Sequence, residues 1–518
     1  MSNTIGKLEI SKTPYPPSDG RDIVIAAKGG GIIFVGTLFE YVSRFVLGIV
    51  VARFVGAAQY GVYNLALTPL NILSMFALLG LKAAMVRYVP IYVHQRDEES
   101  LWGTLQVGLG LVMFTSIVLG IGLFILAEPV ADIIFHTPEL TPFLRIAGLI
   151  VPFTALIEIM TSATQGLKEM QYSVYAREIS MTSIKLVLTV TFLVLGFRTL
   201  GIMIAHAVAT LAAFVMLLYF LHKLFPLRRP IRAARRNTRQ MLGLSLPIYF
   251  SQVVDVVGGN LSVLLLGMLN TTTGVGIFAA AQRVSMTGRL FHSSIVLVSQ
   301  PIVSDLYSKG DWAQLRRFYQ VMTKWTFTFN LPLFLAITVF SGPILSIFGS
   351  SFVAGSAALA IMAFGFLISA GTGICGVVIN MSDNTQLNLL NSVLAVVLTL
   401  VFNIWLVPSF GVLGAAIAST SAGAVINVAR LLEVFLLFRI LPYNRDFIKP
   451  VIAGLAAIAV TLSAKQWVLP ETGLVPLALG GILLLITYIA VILLLGLSEE
   501  DQMVLKRLHS RLKIMLKL

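Results

Sequence analysis

An all-α polytopic membrane protein, with about fourteen transmembrane helices, is the fold class predicted here, and three observations carry it. Of 518 residues, 57% are apolar and only 12% charged, about half the charged share of a soluble domain. Mean hydropathy is +0.91. Apolar runs long enough to cross a bilayer follow one another from Gly29 to Leu497 with short polar breaks. These features exclude a soluble enzyme, a disordered chain and a secreted disulfide scaffold. The single Cys375 excludes an intramolecular disulfide and any multi-cysteine metal or redox centre.

The spans are expected in this order. The first seven run Gly29–Phe54, Tyr63–Val89, Leu101–Ala127, Leu140–Gln165, Ile179–Leu195, Leu200–Leu221 and Met241–Leu269. The second seven run Ile277–Ser304, Phe318–Phe340, Phe352–Met381, Leu387–Val407, Val412–Phe438, Phe447–Trp467 and Leu474–Leu497. The first is too long for the apolar core of a cleavable signal, and 28 residues precede it. Lys and Arg set the direction. With a cytoplasmic N-terminus, that side receives 27 cationic residues and the other only Arg53, Arg198 and Lys465. Both termini are therefore expected in the cytoplasm of a multi-pass protein of the plasma membrane.

The chain also repeats itself. Phe197-x-x-Leu200-Gly201-x-x-Ile204-Ala205 recurs as Phe410-x-x-Leu413-Gly414-x-x-Ile417-Ala418, an offset of 414 − 201 = 213. Pro129 matches Pro343 at 214, and Gly61-Val62-Tyr63 matches Gly276-Ile277-Phe278 at 215. The expected organisation is a cytoplasmic tail (1–28), a six-helix lobe (29–222), a basic linker (223–240), a second six-helix lobe (241–438), two further helices (439–497) and a basic amphipathic tail (498–518). An even helix count gives parallel repeats, an arrangement suited to alternating access with a site between the lobes.

Charges inside spans are costly and need a reason. The cations are Arg44, Lys82, Arg145, Lys185, Arg283, Arg289 and Arg430, and the anions Glu40, Glu158, Asp255 and Glu433. Arg430 and Glu433, three apart on one helix, are expected to pair. Lys82, Arg145 and Lys185 lie close enough to a membrane face to snorkel. Arg289 sits near the middle of its span with no acid on the same helix, which points to a cavity. Glu40 and Asp255 are 215 apart, the repeat offset, so they stand at equivalent depths on the first helix of each lobe. Two readings stand for them: H⁺ or Na⁺ coupling by opposed carboxylates, or charge balance against Arg44, Arg283 and Arg289. A cavity with surplus arginine suits a phosphate or pyrophosphate, which guanidinium binds bidentately.

Other motifs carry no chemistry. Gly371-Thr-Gly-Ile-Cys-Gly376 fits GxGxxG but lies inside an apolar span, where small residues pack helices. No P-loop, metal spacing or nucleophile–base constellation occurs, so neither enzymatic activity nor a bound cofactor is expected. The linker cations suit anionic membrane lipids rather than nucleic acid. In the tail, Leu505, Leu508, Leu512 and Met515 recur at helical spacing among basic residues, as in an interfacial helix.

Several stretches resemble a known family. Ser43-Arg44, then Val51-Ala52-Arg53-Phe54-Val55-Gly56-Ala57 and Tyr60-Gly61-Val62-Tyr63, resemble the opening of polysaccharide flippases. Leu79-Gly80-Leu81-Lys82-Ala83-Ala84-Met85-Val86-Arg87-Tyr88 resembles the end of their second helix. These flippases belong to the multidrug/oligosaccharidyl-lipid/polysaccharide exporter superfamily, beside the O-antigen-type and lipid II flippases. The resemblance implies that the first, second, seventh and eighth helices line the cavity. That places Arg44, Arg53, Lys82, Arg283 and Arg289 at or near a substrate site, with Glu40 and Asp255 beside them. It implies translocation of a polyprenyl-(pyro)phosphate-linked oligosaccharide, with glycan polymerases or glycosyltransferases as candidate partners. An ion-coupled exporter of small molecules on the same fold is the alternative, and a membrane-embedded glycosyltransferase or polymerase the third reading.

Overall fold

The computed structural model describes residues 20–167, 169–225, 234–382, 384–467, 474–503 and 506–507. The N-terminal tail before residue 20, linker residues 226–233 and tail residues 508–518 lie outside them, and with them the expected lipid-contacting cations Arg228, Arg229 and Arg232 of the linker and Arg511, Lys513 and Lys517 of the tail.

In the first half run α1 (Gly20–Ala77), α2 (Leu81–Gln95), α3 (Glu98–Ile125), a short α4 (Ala127–Pro129), α5 (Thr141–Gly166), α6 (Met170–Ser173), α7 (Thr182–Val194) and α8 (Arg198–Leu224). The second half has α9 (Thr238–Leu269), α10 (Thr272–Ser285), α11 (Arg289–Ser308), α12 (Trp312–Val339), α13 (Ser341–Ser346), α14 (Ser356–Thr372), α15 (Cys375–Met381) and α16 (Thr385–Phe438). The last two helices are α17 (Ile448–Trp467) and α18 (Leu474–Leu494). No strand occurs among the described residues. Nine helices among them are long and apolar enough to cross a membrane.

Two of these are hairpins. A straight helix of 58 residues, the length of α1, would rise about 87 Å, nearly three bilayer cores. Instead Gly56, at φ 76° and ψ 174°, breaks it in a conformation that side chains with a Cβ resist. Residues on both limbs, Glu40 and Arg44 on one and Asn64 and Asn71 on the other, line the same cavity, so the chain doubles back. Gly411, at φ 51° and ψ −123°, does the same in α16. There Arg430 donates to Asn388 and Asn391 donates to Glu433 across the limbs. The expected Arg430–Glu433 ion pair is therefore corrected. Asn388 and Asn391 have the same three-residue spacing on the facing limb, and each charge takes the amide opposite it.

Other expected spans are broken or extended. The second divides at Leu78–Gly80 between α1 and α2, the eighth at a 3-10 turn (Met286–Gly288), and the tenth at Gly373–Ile374. The fifth begins earlier than expected, with α6 and a π-helical turn (Val174–Met181) leading into α7. Helix starts are set by side-chain caps. Asp97 accepts from the Ser100 amide before α3, and Asp311 from the Gln314 amide before α12, both at 3.0 Å. These caps are 311 − 97 = 214 apart, a further match to the repeat.

The two halves meet most closely at the end of the bundle where α1 turns. A Cβ on Gly61 would lie 1.8 Å from the Thr272 carbonyl oxygen, and one on Gly276 would lie 2.0 Å from that of Ala57. The contact is reciprocal, since 276 − 61 and 272 − 57 are both 215. Around it one apolar cluster draws on both halves, with Tyr60, Val62 and Leu65 against Val275, Phe278, Phe348 and Phe352. Tyr60 is fully buried and meets Phe352 edge-on at 5.8 Å. Arg53 Nε donates to the Ile347 carbonyl at 2.8 Å, tying α1 to the segment after α13.

Candidate functional site

Between that seam and a second contact of the halves, where a Cβ on Gly80 would lie 2.4 Å from the Ser245 carbonyl oxygen, lies a cavity of about 450 Å3, which adjoins a second of about 240 Å3 running into the first half. Both are walled by Glu40, Arg44, Leu67, Asn71 and Arg283. The larger space is rich in neutral hydrogen-bonding groups, among them Tyr41, Asn64, Thr68, Asn260 and Gln282. The Asn64 and Asn260 amide nitrogens donate to carbonyls one turn back on their own helices. That fixes each side chain and leaves its oxygen available as an acceptor.

The smaller space is charged. Arg283 reaches from α10 to α1, where Nη1 donates to the Arg44 carbonyl at 3.3 Å and Cζ stands 5.9 Å from the Tyr60 ring centroid. Gly48 makes room for it, since a Cβ there would fall 1.8 Å from Arg283 Nη1. Arg44 pairs with Glu40 at 3.1 Å one turn back, with most of the Arg44 side chain exposed. Deeper in the first half, Glu158 of α5 is bridged by Lys82 of α2 and by Arg177 of the π-helical turn, the latter at 3.0 Å. Lys185 Nζ of α7 lies 2.6 Å from His206 Nδ1 of α8. The wall of this branch thus carries Arg44, Arg177, Lys185 and Arg283 against Glu40 and Glu158, a surplus of positive charge facing enclosed space.

The sequence-derived candidates divide accordingly. The structure brings Glu40, Arg44 and Arg283 together on the cavity wall. Lys82 joins them only through Glu158. Arg53 serves the seam at the opposite end. Arg289 is exposed at the start of α11, one turn beyond the wall residue Met286, and neither it nor Asp255 lines the described cavity. Asp255 is exposed on α9, five residues from Asn260, so Glu40 lacks it as a facing carboxylate across this space.

Two expectations are corrected. Lys82 and Lys185 do not snorkel, because Glu158 and His206 are within reach in the interior. Arg177, which falls in the expected break between the fourth and fifth spans and so among the 27 cytoplasmic cations, is a helical residue facing inward. Sequence reading missed the cluster because its members are spread from residue 82 to 206 with no common spacing. The available signal was that Glu158 is an intramembrane acid with no cation on its own turn.

A polytopic helical bundle with a polar, net-cationic cavity between two related halves has the build of a membrane transporter. The chain belongs to the polysaccharide biosynthesis protein family, whose profile matches residues 26–307. The MatE family profile matches residues 247–405. The chain is 31% identical over 181 residues to the probable low-salt glycan biosynthesis flippase Agl15 of Haloferax volcanii, covering 34% of this chain and 38% of that protein. It is 19% identical over 432 residues to an uncharacterized membrane protein of Methanocaldococcus jannaschii, covering 78% of this chain and 83% of the other.

Among solved structures, the lipid II flippase MurJ in an inward closed conformation matches with a TM-score of 0.70 at 15% identity, over 90% of this chain and 98% of that one. An inward-facing multidrug resistance MATE transporter matches with a TM-score of 0.64 at 16% identity, over 77% of this chain and 94% of the other. The fold is that of the exporter superfamily named by the motifs around Arg44 and Lys82.

Proposed function

We propose that the protein is a flippase that carries a polyprenyl-(pyro)phosphate-linked oligosaccharide from the cytoplasmic to the outer leaflet by alternating access. Its two six-helix lobes, 29–222 and 241–438, rock about the cavity, and 439–497 adds two crossings to make fourteen. Both termini lie in the cytoplasm and the Gly61–Gly276 seam faces outward, as the distribution of Lys and Arg requires. A tight seam at that end with a cavity behind it suits a state closed toward the outside.

The single observation that carries the reading is the composition of the cavity wall. Arg44 and Arg283 stand at the junction of its charged and neutral parts. They suit the phosphates, while the amides and hydroxyls of Asn64, Asn71, Asn260 and Gln282 suit sugar hydroxyls and the carrier chain stays in lipid. Arg289, one turn along, would meet the head group on entry, Lys82 would hold the wall through Glu158, and Arg53 would close the outer end. Glu40 is the carboxylate placed for H⁺ or Na⁺ coupling beside the substrate, and Asp255 could act only in another conformation. Linker cations outside the described residues would touch anionic lipids, and glycan-assembly enzymes would supply the substrate.

The reading is tested in proteoliposomes with a defined lipid-linked oligosaccharide and, in parallel, a fluorescent cationic drug. Flipping of the first that is lost in Arg283→Ala is expected. Transport of the drug alone would favour the exporter reading, to which the MatE match lends support.

A further inference from the structure

The innermost wall of the charged branch holds two bases and no acid of their own. Lys185 Nζ is 2.6 Å from His206 Nδ1, and no carboxylate lies within ion-pair distance of either among the described residues. At that separation one nitrogen must accept from the other, so the pair has room for one ionising proton but not for two: it is held as a lysine ammonium donating to a neutral imidazole, or as an imidazolium donating to a neutral amine. Two protons would set positive donors face to face in a desolvated site.

The surroundings worsen this for an empty cavity. Facing the pair are Arg44, Glu40, Tyr60 and Tyr63 from α1, Arg283 from α10, Glu158 from α5, and Arg177 from the π-helical turn. Arg177 also pairs with its neighbour Glu178 at 3.6 Å. Glu40 is occupied by Arg44, and Glu158 by Lys82 and Arg177. Lys185 otherwise has the Tyr63 ring, 5.9 Å from Nζ. A second proton becomes stable only when a new negative charge enters.

We propose that the Lys185–His206 pair is a proton-binding site linked to anion occupancy: it carries one proton while the cavity is empty and takes a second when a phosphate group settles beside Arg44 and Arg283. The inference rests on the flippase reading for the identity of the anion. By linkage, an anion that recruits a proton binds more tightly as pH falls, by up to about tenfold per pH unit within the window where the second proton is taken up. Departure of the lipid would release that proton.

The test uses the purified full-length protein and a water-soluble short-chain prenyl diphosphate glycoside. Both of its phosphates are esterified and do not titrate near neutral pH. Calorimetric titration in two buffers of different ionisation enthalpy reads the protons exchanged. Binding with uptake approaching one proton, abolished in both Lys185→Met and His206→Gln, is the expected result. Each variant should still bind the glycoside, with an affinity nearly flat in pH, and thermal unfolding would verify that it is folded. Should one variant not fold, the other decides by itself, since each substitution removes one of the two nitrogens that share the site. Binding with no proton uptake would overturn the inference and leave the flippase reading standing. Uptake undiminished in both variants would overturn it by moving the proton elsewhere, Glu40 being the nearest acid. No binding at all would remove the flippase reading and this inference with it.

Discussion

The first and second halves of the chain share a backbone plan and differ in what they bury. In the first, Lys82, Glu158, Arg177, Lys185 and His206 meet in the interior, and all but Lys82 line the cavity. At the repeat offsets, Lys185 corresponds to Thr399 (185 + 214) and His206 to Ser419 (206 + 213). Both hydroxyls donate to carbonyls one turn back on their own helix, at 2.7 and 2.9 Å. The charges the second half does keep on α16, Arg430 and Glu433, are met by amides. Duplicated architecture therefore supports a chemically one-sided machine. Backbone packing preserves the symmetry, and the side chains that face the cavity do not.

Removing the acid that organises the first half should break the contrast most visibly. Glu158→Ala leaves the half-buried Lys82 without an anion and Arg177 with only Glu178, 3.6 Å away, a loss of about 1–3 kcal/mol once solvent screening is allowed for, seen as a fall in the unfolding temperature in detergent. In the second half, Glu433→Gln should cost about 1 kcal/mol, since one amide hydrogen bond is at stake. Comparable losses in the two variants would mean that the halves are energetically alike.

The symmetric seam is the next place to probe. Gly61→Ala and Gly276→Ala each drive a methyl into a carbonyl of the other half and should cost about 1–3 kcal/mol in the sealed state. Both should raise labelling of a cysteine placed at Ala57 from the outer side, and to the same extent. Gly110→Ala, with nothing within 4 Å, should instead be neutral or stabilise by up to about 1 kcal/mol. A large difference between the two seam variants would show that the repeat fails where it looks best.

A smaller effect is expected where the tail joins the second half. Asp501 accepts from Lys324 Nζ at 2.9 Å and Trp325 Nε1 at 2.7 Å. Partial burial pushes its carboxyl up, but the Lys324 hydrogen bond leads the interactions that hold it below the usual range. A depressed pKa stabilises above the unfolded value near 3.9 and loses that stability as pH falls through the folded one. Asp501→Asn should therefore lower the unfolding temperature at neutral pH, with the gap to the native protein closing in acid.

The smallest is at the caps. The Ser100 backbone amide holds the Asp97 carboxyl below its ordinary value, so the same acid-side loss applies, and Asp97→Ala should lower the unfolding temperature slightly. Asp311→Ala should match it, because here the halves are alike. A clear inequality between them would sharpen the asymmetry rather than dissolve it.

Sequence alone determined the solvent, the helical class and the internal repeat, because hydropathy and offset are properties of order along the chain. Gly61 and Gly276 were legible in this way, while their carbonyl partners Thr272 and Ala57 were not. The two glycines recur at one offset because each lies where it must meet the other half's backbone. Arg44 and Arg283 were also legible, since a cation inside a span needs a cavity or an acid. Partnership was not. Arg430 and Glu433 are neighbours on one helix, yet each takes an amide from the facing limb, and Lys82 finds its acid 76 residues away. Only the tertiary structure could place Lys185 against His206, or send Arg53 to the seam and Asp255 outside the cavity lining. In a low-dielectric interior a charge takes whichever polar group packing brings within about 3 Å, and packing is decided by faces of helices far apart in sequence.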